Sequence, residues 1–184
     1  MKTIKTILAV AVVLFIGVVF FYTSSSVKIA KEIETSYTHH NQTITLEGKF
    51  KAPFLTRTGN SISMEFEVFN DFFIIQTGNK TVTGVKVNYG EGKNSVLIDV
   101  PEDSRKFEQK DVVIFDKDGN KLTTSDKVKI TAQIVYPNKG VKKSSTVKDY
   151  STGKVTVKDE GEDFDYEISN VVIEKLNATT IVVN

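Results

Sequence analysis

The sequence predicts an all-β domain, a single antiparallel barrel or sandwich, carried behind an N-terminal transmembrane helix and a short helical stalk. Three observations lead there. From Thr43 onward apolar and polar residues alternate with a period of two; turn signals separate the alternating runs; and an uncharged apolar stretch follows two N-terminal lysines. Alternation of period two describes strands with one buried and one wet face. Short strands broken by turns at this spacing build a sandwich or barrel.

The apolar stretch ILAVAVVLFIGVVFFYTSSS covers residues 7–26. Its strictly apolar run, Ile7–Tyr22, is 16 residues, and the charge-free window Thr6–Val27 is 22. At about 1.5 Å per residue the window reaches roughly 33 Å, enough for a hydrocarbon core of about 30 Å. A cleaved signal is the alternative, but Thr23/Ser25 and Ser24/Ser26 both depart from the favoured Ala-x-Ala and follow the bulky Phe20, Phe21 and Tyr22. Residues 1–26 are therefore expected to stay as an anchor. Lys2 and Lys5 remain on the cytoplasmic side, which puts the rest of the chain on the periplasmic or extracellular face.

Residues 27–42 read as the stalk. Val27, Ala30, Ile33 and Tyr37 recur three and four apart, and Lys28 stands one turn before Glu32. His39 and His40 close the segment. Adjacent histidines point in different directions on either regular structure, and the chain has no others, so they are expected to be solvated and not to hold a metal.

Residues 43–184 form the β-domain. Ile44, Leu46 and Phe50 share a face, as do Ile62, Met64, Phe66 and Val68; Val85, Val87 and Tyr89; and Val96, Ile98 and Val100. The longest alternation places Val128, Ile130, Ala132, Ile134 and Tyr136 inward, with Lys127, Lys129, Thr131 and Gln133 outward. About 140 residues suffice for one core.

Composition narrows the chemistry. Without cysteine there is no disulfide framework, thiolate nucleophile or Cys-ligated metal; exported bacterial proteins, those of the cell envelope, tolerate that absence. Lys+Arg number 24 against 23 Asp+Glu. Nucleic-acid binders carry a basic excess, so a nucleic-acid partner is not expected.

TITLEGKFKAP, bending at Gly48, DKVKITAQIVYP and DYEISNVVIEKL are spaced as the first, fourth and closing strands of a small barrel. Over Thr43–Leu176 this pattern resembles the OB fold, and it is similar to the membrane-anchored OB-like proteins of bacterial envelopes called tRNA_anti-like. The resemblance implies an OB-like barrel that binds through its loops.

Three stretches invite functional readings. Asp116, Asp118 and Asn120 surround Gly119, but an EF-hand loop puts glycine sixth and glutamate twelfth. Counting from Asp116, this chain has glycine fourth and Lys127 twelfth, and Asp-Gly between apolar runs marks a hairpin. Glu65 and Glu67 leave one face of a strand about 7 Å apart, near the about 6.5–9.5 Å carboxylate spacing of inverting glycosidases. They carry the alternative reading, a hydrolase of an envelope polymer. Every half-exposed strand places polar residues two apart, and no Gly-x-Ser-x-Gly elbow or nucleotide-binding glycine motif occurs. No catalytic residue and no cofactor is therefore predicted.

The last stretch is the most informative. Residues 139–158 hold six lysines against Asp149, and residues 159–167 hold six acids and no base. Such blocks belong to solvated segments, or to a hairpin that lays one against the other. As the loop between the fourth and fifth strands, the segment supplies the candidate ligand-binding residues Lys142, Lys143, Lys148 and Tyr150. The expected function is that of a membrane-anchored, non-catalytic binding or assembly module, its partner a protein, glycan or anionic envelope component.

Overall fold

The computed structural model describes residues 25–69, 80–101, 104 and 106–176. Among these described residues one α-helix, α1 (Ser25–Thr35), precedes ten strands: β1 (Gln42–Thr58), β2 (Ser61–Val68), β3 (Lys80–Tyr89), β4 (Ser95–Ile98), β5 (Val112–Phe115), β6 (Lys121–Thr123), β7 (Val128–Val135), β8 (Lys142–Lys148), β9 (Val155–Glu162) and β10 (Glu167–Lys175).

Five of these strands close a barrel, so the structure decides between barrel and sandwich. β1 pairs antiparallel with β2 and β7, β2 with β3, and β7 with β10. The circuit closes where β10 meets β3 in parallel, Ile168 opposite Val85. β1 serves two neighbours because it bends: residues from Gln42 to Gly48 pair with β7, and residues from Gly48 onward pair with β2. The bend falls on the glycine that the sequence marks.

The inward faces are those the alternation predicts. Ile62, Met64, Phe66 and Val68 of β2 are buried, as are Val128, Ile130, Ala132 and Ile134 of β7, with Tyr136 just beyond it. Phe50 and Phe66 meet edge to face with ring centroids 5.1 Å apart. Each fully buried side chain of this size contributes about 1.5–3 kcal/mol of transfer free energy, which makes this interior the main source of the domain's stability.

The segment expected to be a stalk is helical, as its stripe predicts, but the stripe is used against the barrel. Ala30 and Ile33 are buried in the same core as Leu46 and Ile134. The Glu47 backbone N–H donates to Ser26 Oγ at 2.9 Å, and the Tyr136 hydroxyl donates to the Ile33 carbonyl at 2.9 Å. The histidines are likewise engaged and not solvated. His39 Nε2 lies 2.9 Å from Glu32 Oε2, and His40 Nδ1 accepts the Tyr136 N–H at 3.2 Å.

Strands β4, β5 and β6 form an antiparallel extension joined to the end of β3. The β5–β6 connection is the predicted hairpin. The Asp116 carboxylate accepts the N–H groups of Asp118 and Asn120 and the Asn120 side-chain amide at 2.8–3.0 Å. The turn then docks on β10. The Lys117 N–H donates to the Ile173 carbonyl, and the Ile173 N–H donates to Asn94 Oδ1, each at 2.8 Å.

Among the described residues no helix is long and apolar enough to cross a membrane. The predicted anchor, residues 7–26, lies outside them apart from Ser25 and Ser26, which open α1.

Candidate functional site

The long excursion between β7 and β10 carries the strongest candidate. It begins at an aromatic hinge. Tyr37 meets Tyr136 edge to face at 5.3 Å and Phe164 at 4.8 Å. Its hydroxyl donates to the Asp163 carbonyl at 2.8 Å and accepts the Gly140 N–H at 3.3 Å, which clasps both ends of the excursion. Tyr136 is enclosed by this cluster and the helix, and burial pushes its phenol up to about 12.

Asp163 completes the hinge. Its carboxylate is buried, accepts the Asn138 side-chain amide at 3.0 Å and the Asp165 N–H at 2.9 Å, and pairs with Lys143 Nζ at 3.0 Å. The Asp165 N–H, against the opposing effect of burial and with further help from Lys143 and Asn138, holds its carboxyl below the usual carboxylate range. Lys143 also reaches Asp165 at 3.0 Å.

Beyond the hinge β8 and β9 pair with each other and with no other strand among the described residues. Basic and acidic blocks are laid side by side, Lys142 opposite Glu162 and Ser144 opposite Asp159. At the far end Asp149 organises the turn. It accepts the Ser151 hydroxyl at 2.6 Å, the Thr152 hydroxyl at 2.7 Å and the Ser151 N–H at 2.8 Å. These bonds, the Ser151 hydroxyl first, hold its carboxyl well below the usual range.

The four predicted residues separate along this hairpin. Lys143 is committed to the hinge carboxylates, and Lys142 lies 3.7 Å from Asp159. Seven residues of β8 span roughly 20 Å, and at the other end Lys148 Nζ stands 5.8 Å from the centre of the Tyr150 ring. Only Lys148 and Tyr150 are brought together, and Tyr150 is 90% exposed. Sequence reasoning missed the apolar part of this surface. Val141, Val147, Val155 and Val157 are all more than half exposed. The alternation in KVTVK announces a strand but not that no core receives its valines.

The carboxylates of the hydrolase reading sit on the outside of the barrel, where Glu67 pairs with Lys51 at 3.1 Å and Glu65 lies opposite Lys51 in register. A groove of about 500 Å³ opens between the β5–β6 turn and the ends of β7 and β10. Lysines on its wall are matched by acids: Lys117 with Asp118 at 2.8 Å, Lys129 with Glu174, and Lys175 with Asp126 at 2.9 Å.

No family model, no curated protein and no solved structure matches this chain. Its functional reading therefore rests on its own geometry.

Proposed function

We propose that this chain is a membrane-anchored, non-catalytic extracytoplasmic binding or assembly module, with an OB-like barrel as scaffold and the β8–β9 hairpin as contact surface. One observation carries the reading. The barrel interior is filled, while the excursion between its fourth and fifth strands presents Val147, Tyr150, Val155 and Val157 to solvent on a hinge built from Tyr37, Asn138, Lys143 and Asp163. In OB folds that connection is one of the two loops that bind ligands. The Glu67–Lys51 pair on the outer wall is accounted for by strand-to-strand charge pairing, and this favours a binding role over hydrolysis.

The first test is membrane fractionation of the full chain with intact mass. Membrane-bound protein that keeps Met1 is expected; soluble protein beginning near residue 25 would remove the anchor from the reading. The second replaces residues 141–162 by a short Gly-Ser turn. The barrel should keep its melting transition while capture of envelope components is lost, and unchanged capture would move the contact surface elsewhere.

A further inference from the structure

We infer that the outer half of the β8–β9 hairpin docks on an anionic lipid bilayer, with Tyr150, Val155 and Val157 entering the headgroup layer and Lys148 and Lys154 meeting lipid phosphates. The inference rests on the proposed reading of the hairpin as the contact surface and names its partner.

Register fixes the faces. Lys148 lies opposite Val155 and Thr146 opposite Val157, so these four side chains share one face. The Tyr150 ring, beside Lys148, extends that face at the tip. Val147 and Lys158 occupy the other. Single exposed apolar side chains need no explanation, but their concentration does. Of the seven large hydrophobic side chains exposed among the described residues, five belong to residues 141–157.

Charge is segregated along the same hairpin. Residues 144–158 hold Lys148, Lys154 and Lys158 against Asp149 alone, and Asp149 spends its oxygens on Ser151 and Thr152. The acids of the segment stay near the base, where Lys142 and Lys143 meet Asp159, Asp163 and Asp165. The outer half is thus both cationic and apolar, and these two properties add in binding to an anionic interface. A tyrosine and long lysines suit the headgroup layer, where an apolar body and a polar tip are both accommodated.

Competing partners satisfy one property and not the other. A soluble anionic polymer would take the lysines and leave the valines in water. A peptide adding a third strand would meet charged side chains along both edges, which act against such pairing. Depth is limited as well. The outward backbone groups of a two-stranded ribbon have no partners in hydrocarbon, so the contact is interfacial and does not span.

The chain contains no tryptophan, so Tyr150→Trp gives the hairpin a unique reporter at an exposed position. The full chain is placed in neutral phosphatidylcholine nanodiscs, which accommodate residues 7–26, and titrated with phosphatidylglycerol vesicles. The expected result is a blue-shifted indole emission, quenched by brominated lipid and reversed by high salt. Replacing Lys148 and Lys154 together with Gln, both exposed positions, should weaken vesicle binding on the order of thirtyfold, with circular dichroism confirming the fold. Unchanged emission overturns the inference. So does an equal shift with neutral vesicles, or a shift with an acidic polysaccharide and none with vesicles, which would make the partner a polymer. A chain that fails to enter the nanodiscs instead removes the anchor, and the vesicle titration of that soluble protein still decides the hairpin.

Discussion

The Tyr136 hydroxyl donates a hydrogen bond to the Ile33 carbonyl at 2.9 Å inside the core, a buried contact that joins the helix to the barrel between residues 103 positions apart. Ile33 lies in the last turn of α1, where carbonyls have no partner within the helix. Tyr136 supplies one from the strand side. Tyr136→Phe removes the donor and leaves a buried carbonyl unsatisfied, at a cost of about 1–2 kcal/mol. Thermal melting should show this as a fall of a few degrees, and unchanged melting would mean that the helix is held by Ala30 and Ile33 packing and the Ser26–Glu47 bond without this contact.

The same phenol predicts an alkaline limit. Its pKa rises from the ordinary 10.0 to about 12 on folding, so the unfolded chain releases this proton first. Stability is fully present below about pH 10 and falls as pH rises toward 12. Urea midpoints measured across that window should decline in the native sequence and decline less in Tyr136→Phe.

Gly48 is irreplaceable for a steric reason. A Cβ built there would lie 1.8 Å from the Glu67 carbonyl oxygen and 2.8 Å from a Phe66 ring carbon. The first atom belongs to backbone in the neighbouring strand, so relief requires moving β2 and not turning a side chain. Gly48→Ala should cost about 3 kcal/mol, read as a lower urea midpoint with an unchanged slope.

These cases show what the sequence could and could not disclose. The faces of β2 and β7 were legible because a half-buried strand writes its burial in alternate positions. The bend at Gly48 was legible as a glycine inside an alternating run, whereas the atom that demands it lies 19 residues away. The helical stripe of Ala30 and Ile33 was visible too. Nothing local reveals what a stripe packs against, so a helix cap on the barrel resembled a stalk. The charge blocks of the hairpin announced their pairing, but its hinge joins Tyr37 to Asp163 across 126 positions, beyond any local pattern.

At the β5–β6 turn, both Asp116 oxygens accept hydrogen bonds from Asp118 and Asn120. Burial raises the carboxyl's pKa, and these bonds outweigh it, leaving the group below its ordinary range. The carboxylate is therefore occupied as a turn organiser. Calcium at millimolar concentration should leave the melting temperature unchanged, while Asp116→Ala should lower it.

Asp163 controls the hairpin independently of the barrel. Its bonds reach Asn138, Asp165 and Lys143, all within the excursion, so their loss should loosen β8 and β9 without opening the core. Its carboxyl is held below 3.8, so this contribution is present above about pH 3.8 and is lost as pH falls further through the folded value. Asp163→Asn should speed amide exchange severalfold at Val141 and along β8, with β1, β2 and β7 unaffected. Acidification through that window should speed exchange at Val141 and along β8 in the native chain and do so less in the variant. Equal acceleration in β7 would mean that hinge and barrel open together.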